Sequence, residues 1–402
     1  MDLEERDRVI KASANTAHHL QVELPSTHTN THTFLVLKKK KKMHVLSLLL
    51  CASLATSQSV YKKRLTGEDK DTGHRWAVAG TDLGIPYTLE NGATGFLFGD
   101  TFSTQSPDPG NGGAQGWRSP VLLRSASQPG SKEGIVFDSA AGVPKDHDQP
   151  APEIMYNGHN GPDHPGGSPI TEVSVIPNDG ISFPETNEQI VSYMSVRDWS
   201  SPWKTNYAGL AVSTDGNTFK RLDGAHWPNP SDNKDPFQMW TMQRDGKYVY
   251  VFSVRSGRQE GPMMLQRVPW DKIKDPKAYE GWGWNGKDWA WGRPCTAILY
   301  GTFGEPSVRK LTDGKWAMVY LNLQNGINIV SRTADGPDQP WSEEKIQVTM
   351  EQERNLYGGF IHPASSTKKD DLHIIVSRWS HQNEDGSGPT THYHASQYQG
   401  SL

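Results

Sequence analysis

Gly80-Thr81-Asp82-Leu83-Gly84 runs up to Glu90-Asn91-Gly92, and Thr94-Gly95-Phe96-Leu97-Phe98-Gly99-Asp100-Thr101-Phe102 runs back. Aromatic and β-branched residues on both sides of an Asn-Gly turn predict a β-hairpin. If the loop has three residues and closes with Gly92 in the left-handed conformation, Leu89 pairs with Ala93 and Asp82 falls opposite Asp100, with Cβ atoms about 5 Å apart on one face. A two-residue Asn91-Gly92 turn pairs Asp82 with Thr101 instead, which leaves the two acids diagonal and on opposite faces unless a bulge intervenes. The glycines beside both aspartates suit such a bulge, or a close approach of ligand to backbone. Two adjacent carboxylates repel when both are charged, so one holds its proton nearer neutrality while the other stays ionised. Glycoside hydrolysis needs that division of labour. Two turn-capping aspartates are the plainer reading of the same residues.

Four further hairpins follow the same plan. Ile170 to Pro177 returns as Gln189 to Trp199, Phe237 to Gln243 as Tyr248 to Arg255, Pro306 to Leu311 as Trp316 to Leu323, and Ile361 to Ser366 as Leu372 to Trp379. The returning runs, such as Tyr248-Val249-Tyr250-Val251-Phe252-Ser253-Val254, have strand length and strand composition. Most are followed by another strand pair, so five units of four strands predict an all-β, five-bladed β-propeller. A β-sandwich with the same strand count is the alternative. Ser213-Thr214-Asp215-Gly216-Asn217-Thr218-Phe219 is similar to a shortened Asp-box of sialidases, and a simple turn between strands explains it equally well.

The whole chain agrees with many short strands: 402 residues with 39 Gly, 27 Pro and 14 Trp, and no long stretch of 3.6-residue periodicity. A net charge of -4 recommends neither a nucleic-acid partner nor an anionic membrane surface. Lys38 to Lys42, Met43-His44 and the apolar run Val45 to Ala55 have the pattern of a secretory signal, with small residues for cleavage near Ser57. The expected organisation is therefore 1–42 as a gene-model extension or disordered tail, 43–57 as signal peptide, 58–70 as a short linker or pro-segment, and 71–402 as one propeller. A secreted, extracellular monomer follows, with no membrane contact once the signal is removed. Lys62-Lys63-Arg64 reads either as a dibasic processing site or as a solvated patch. Cys51 leaves with the signal, so Cys295 has no partner for an internal disulfide. Pro230 disqualifies Asn229-Pro230-Ser231 as a glycosylation site.

In a propeller whose first strand per blade is innermost, the equivalent positions are Asp82, Glu172, Gln238, Glu305 and His362. Their cross-strand neighbours fall near Asp100, Arg197, Arg255, Asn322 and Arg378. Buried polar groups are costly unless paired or wetted, so this gathering points to a hydrated mouth that takes a polar ligand. Trp117-Arg118 adds a ring to stack on a sugar and a guanidinium to bind its hydroxyls. Trp282, Trp284, Trp289 and Trp291 read as a saccharide platform or as packing between blades. His147, His159 and His164 lie in a Pro/Gly-rich stretch with no metal-site spacing, so no metal and no cofactor is expected.

Gly80-Thr81-Asp82-Leu83-Gly84, Phe98-Gly99-Asp100-Thr101-Phe102, Trp117-Arg118-Ser119-Pro120, Gly304-Glu305-Pro306-Ser307 and Gly358-Gly359-Phe360 together resemble domain of unknown function 4185 over about residues 70 to 400. That family includes endo-D-arabinanases of glycoside hydrolase family 183. The resemblance implies a polysaccharide substrate, most specifically D-arabinan, with Asp82 and Asp100 as the catalytic pair. Trp117, Arg118, Glu172, Arg197, Gln238, Arg255, Glu305 and His362 would then bind substrate. A sialidase-like or α-L-arabinan-cleaving enzyme using Asp82 with Glu172 and Glu305 is one alternative, and a non-catalytic carbohydrate-binding propeller is another.

Overall fold

The computed structural model describes residues 59–104, 116–157, 171–324, 326–379 and 393–402. The expected signal segment lies outside the described residues, as do His159 and His164. Five antiparallel sheets, one short α-helix, α1 (Asp71–Trp76), and three single-turn 3-10 helices make up the regular structure of the described residues. Blade one is β2 (Gly80–Thr88), β3 (Thr94–Phe102), β4 (Val121–Ser125) and β5 (Ser139–Ala140). Blade two is β6 (Ser174–Phe183), β7 (Glu188–Asp198), β8 (Lys204–Ser213) and β9 (Lys220–Pro228). Blade three, the enlarged one, holds β10 (Met239–Asp245), β11 (Tyr248–Val254), β12 (Glu260–Pro269), β13 (Glu280–Trp284), β14 (Trp289–Trp291) and β15 (Leu299–Thr302). Blade four is β16 (Ser307–Lys310), β17 (Trp316–Asn322), β18 (Asn328–Ala334) and β19 (Lys345–Thr349).

Blade five joins the first and last described strands: β20 (Leu356–Ile361), β21 (Leu372–Arg378) and β22 (His394–Gly400) are completed by β1 (Ser59–Arg64), which pairs with β22. Residues expected to be a linker thus supply the outermost strand. Lys62 and Lys63 direct their ammonium groups at the carbonyls of Pro129, Ser131, Glu133 and Ile135, and Arg64 pairs with Asp69. The basic triplet is part of the ring closure.

The innermost strands β2, β6, β10, β16 and β20 contact one another in turn, and β20 returns to β2. This is the five-bladed propeller that the repeated hairpins predict. Apolar side chains alternate inward along these strands, and a central cluster runs from Leu83 and Tyr87 through Val175, Met239 and Val308 to Phe360. Satellite clusters fill the seams between blades, for example Phe96 and Phe98 with Ile375 and Ala395.

One buried ion pair ties the inner strands together. A bulge between Pro177 and Asp179 in β6 turns Asp179 inward, where its carboxylate receives two bonds from Arg309 of β16, at 2.8 and 2.7 Å. The same carboxylate accepts from the Gly180 N–H, the Thr241 hydroxyl and the Met242 N–H, while Arg309 also reaches the Pro86 carbonyl. Four of the five inner strands are thereby joined through one carboxylate and one guanidinium, whose two terminal nitrogens are both hydrogen-bonded.

Candidate active site

The Asp82–Asp100 hairpin has the three-residue turn: the Leu89 and Gly92 N–H groups close on Ala93 and Leu89, with Gly92 at φ +82°. Near the acids the ladder is irregular. Thr81 pairs with Thr101 and Leu83 with Phe98, so Asp82 lies across from the Gly99-Asp100 step within a double bulge. Leu83 and Gly84 both have positive φ, +63° and +85°. A left-handed leucine costs on the order of 1–3 kcal/mol, and the turn it makes aims Asp82 at the axis. Residue 99 must be glycine here, because a Cβ on it would lie 2.4 Å from Asp82 Oδ1.

Asp82 is 4% exposed. Its Oδ2 accepts the Tyr393 hydroxyl at 2.5 Å, and its Oδ1 has no hydrogen-bond partner among the described residues. Burial, then the neighbouring charge of Asp100, holds its carboxyl well above the ordinary range; Glu305 pushes the same way, and the Tyr393 bond and Arg258 oppose. Asp100 is half-exposed and accepts the Trp117 indole N–H at 2.9 Å. The two acids therefore occupy unlike surroundings: one dry and short of donors, one wetter and bonded by an indole.

Glu305, immediately before β16, completes the group with a residue the sequence reading missed. Arg258, in the turn between β11 and β12, donates to Glu305 at 2.8 Å and to the Tyr357 carbonyl at 2.9 Å, and its guanidinium sits 4.0 Å over the Tyr357 ring. Its own φ is +53°, in a turn held by buried Ser256 and by Gln259, which bonds two backbone carbonyls. Neither Arg258 nor Tyr393 sits on a strand of the repeated hairpins, so position within a blade gave no signal for either.

The other expected contacts are placed differently. Glu172 is buried in a bidentate pair with Arg221, at 2.7 and 3.1 Å, and also accepts from Ser195. Gln238 is fully buried and spans Thr205, Asp235 and the Trp227 carbonyl. Arg118 spends its donors on Ser103 and on the carbonyls of Trp76, Ala77, Gly116 and Ala151. It clasps the loops around blade one, as Arg255 does with the Lys234 and Glu260 carbonyls. Arg197 reaches the Pro230 carbonyl, Asn322 bonds Glu344, and Arg378 pairs with Glu353. Trp117 keeps a half-buried ring beside Asp100.

His362 is a correction. The inner strand of the fifth hairpin is Leu356–Ile361, five residues earlier at each end than Ile361 to Ser366, because 362–371 form a long turn in which Ser365 and Ser366 bond the backbone and Asp371. His362 therefore follows the inner strand instead of opening it. It is buried 5.8 Å from the Phe96 ring, and burial, with His373 and Arg309 adding to it, pushes its pKa down to about 3. The strand opens instead with Leu356-Tyr357, which is why Tyr357 is the residue that meets Arg258.

The four tryptophans form the β13–β14 hairpin, with Trp282 opposite Trp291 and Trp284 opposite Trp289, on the end of β12 away from Arg258. Trp291 packs on Tyr250 and Arg267, and only Trp284 and Trp289 among them are well exposed. Asp215 accepts from the Asn217 and Thr218 N–H groups in the tight β8–β9 turn, an arrangement that the turn explains without an Asp-box. No group of three or more metal-ligating side chains occurs among the described residues.

A family model described as domain of unknown function (DUF4185) matches residues 67–399. Notoamide biosynthesis cluster protein J' of Aspergillus versicolor is 54% identical over 365 residues, covering 90% of this chain and 98% of that protein. Notoamide biosynthesis cluster protein J of Aspergillus sp. (strain MF297-2) is 56% identical over 343 residues, covering 84% of this chain and 90% of that protein. Among solved structures, a protein of Bacteroides ovatus ATCC 8483 presumed to be a hydrolase aligns with TM-score 0.53 at 16% identity, over 81% of this chain and 86% of that one. At that identity the likeness concerns the fold.

Proposed function

The chain belongs to the DUF4185 family, and from that premise we propose that it is a glycoside hydrolase acting within D-arabinan or a related furanoside polysaccharide. One observation carries the reading: a dry Asp82 with a raised pKa beside a wetter, indole-bonded Asp100. A carboxyl that keeps its proton near neutrality can protonate the departing glycosidic oxygen. A carboxylate next to it can activate water or attack the anomeric carbon. Glu305, held by Arg258, supplies a third negative charge that favours retention of the proton on Asp82.

Release of reducing ends from purified D-arabinan, measured beside α-L-arabinan and other polysaccharides, tests this directly. Cleavage with D-arabinan preferred is the expected result. Binding without cleavage would replace the enzyme by a carbohydrate-binding propeller. We place the reaction outside the cell on the strength of the Lys38 to Ala55 pattern. N-terminal sequencing that finds residues 1–42 on the mature protein would remove that part.

The names of the fungal relatives favour a second reading, in which the same acid serves a small molecule made by a biosynthesis cluster. Inactivity on every polysaccharide, with turnover of a small glycosylated or acid-labile metabolite, would select it.

A further inference from the structure

Asp82 presents its two oxygens unequally. Oδ2 accepts the Tyr393 phenol at 2.5 Å, whereas Oδ1, buried against Gly99, has no hydrogen-bond partner among the described residues. Tyr393 is itself well fixed. Its carbonyl accepts the Thr81 N–H at 3.1 Å, its ring lies 6.0 Å from Phe102, and it is 4% exposed. Burial, reinforced by the negative charges of Asp82 and Asp100, pushes its ionisation up, so the phenol remains a donor.

The charged and titratable groups facing Asp82 are Asp100 of β3, Glu305 before β16, Arg258 after β11, Tyr357 of β20 and Tyr393 before β22. Of these, Tyr393 is the one bonded to the carboxyl itself. Resting on the glycosidase reading of Asp82, we propose that Tyr393 is a positioning residue whose O–H, donating to Oδ2, fixes the Asp82 carboxyl and favours the anion formed when Asp82 gives its proton to the substrate. In the step, the proton leaves the Asp82 carboxyl for the departing oxygen, which keeps the electron pair of the broken C–O bond. The anomeric carbon receives a pair from Asp100 or from water that Asp100 deprotonates. Asp82 ends as a carboxylate with the Tyr393 O–H still donating to Oδ2, where a charge-assisted bond is strongest.

Tyr393→Phe tests the assignment while keeping the ring. In infrared spectra of the full chain, the protonated-carboxyl band that disappears in Asp82→Asn is titrated with pH. Loss of the donor removes a group that favours the anion, so the midpoint should rise by roughly one pH unit or more. On substrate, kcat should fall about tenfold or more with KM nearly unchanged, because the bond matters most as charge develops on Asp82. Should the variant not fold, 3-fluorotyrosine at position 393, a stronger donor, should move the midpoint down. An unmoved midpoint, or a loss carried wholly by KM, overturns the proposal. If the wild type cleaves no glycoside, the glycosidase reading fails alone, and the titration still decides the role of Tyr393.

Discussion

Asp82 and Asp179 are both buried aspartates on inner strands, each placed by a bulge, yet their surroundings are opposite. Asp179 receives bonds from two backbone N–H groups, a hydroxyl and both terminal nitrogens of Arg309. Asp82 receives one phenol, has an oxygen with no hydrogen-bond partner among the described residues, and faces two further carboxylates. Burial alone therefore does not mark a site; what marks it is charge left uncompensated where compensation was structurally available. One aspartate holds four blades together, and the other stores electrostatic cost near the start of its inner strand.

The contrast breaks first on activity. Asp82→Asn and Asp100→Asn should each lower hydrolysis by on the order of 10²- to 10⁴-fold, since Asn keeps the shape but neither donates nor accepts a proton as a carboxyl does. Oligosaccharide binding, followed by calorimetry, should survive in both. A rate near wild type in either variant would remove the paired-acid mechanism.

Asp179→Asn should do the reverse. It leaves the Arg309 charge buried without its counter-ion, which costs about 3–5 kcal/mol, seen as a lower denaturant midpoint. Comparable stability in Asp179→Asn and Asp82→Asn would erase the distinction between the two sites.

Gly99→Ala sharpens the geometry. The new Cβ would press on Asp82 Oδ1, and a displacement near 1 Å can cost about 10²-fold in rate, with melting temperature moved much less than activity.

The smallest effect is on stability at Asp82 itself. Because its folded pKa is raised, its favourable contribution is fully present below the unfolded pKa and is lost as pH rises through the folded value. Asp82→Asn should thus melt a little higher than wild type at neutral pH, and the gain should shrink toward acid pH. A variant that melts lower at neutral pH would mean that the carboxyl is better compensated than its neighbours imply.

Much of this was legible in the order of residues. Alternating strands around short turns gave three of the five hairpins at their inner strands, the second being read at Ile170 to Pro177 where the strand runs Ser174–Phe183, and one of the two turns that Glu90-Asn91-Gly92 allowed brings Asp82 to the Gly99-Asp100 step. The fifth hairpin slipped because Ile361 to Ser366 is as apolar at its start as a strand, and only the bonds of Ser365 and Ser366 within the turn exclude it. Local pattern also placed acids and amides at the inner-strand starts, but not their partners. Arg221 neutralises Glu172 within blade two, whereas Arg258 and Tyr393 reach Glu305 and Asp82 from loops 47 and 311 residues away in the chain.

What the sequence by itself determined is the repeated hairpin, since strand period and turn chemistry are local properties that a short segment carries wherever it lies. What only the tertiary structure decided is which buried acid is satisfied. A carboxyl's proton affinity depends on every charge and donor within a few ångströms, and around Asp82 those neighbours come from blades one, three, four and five.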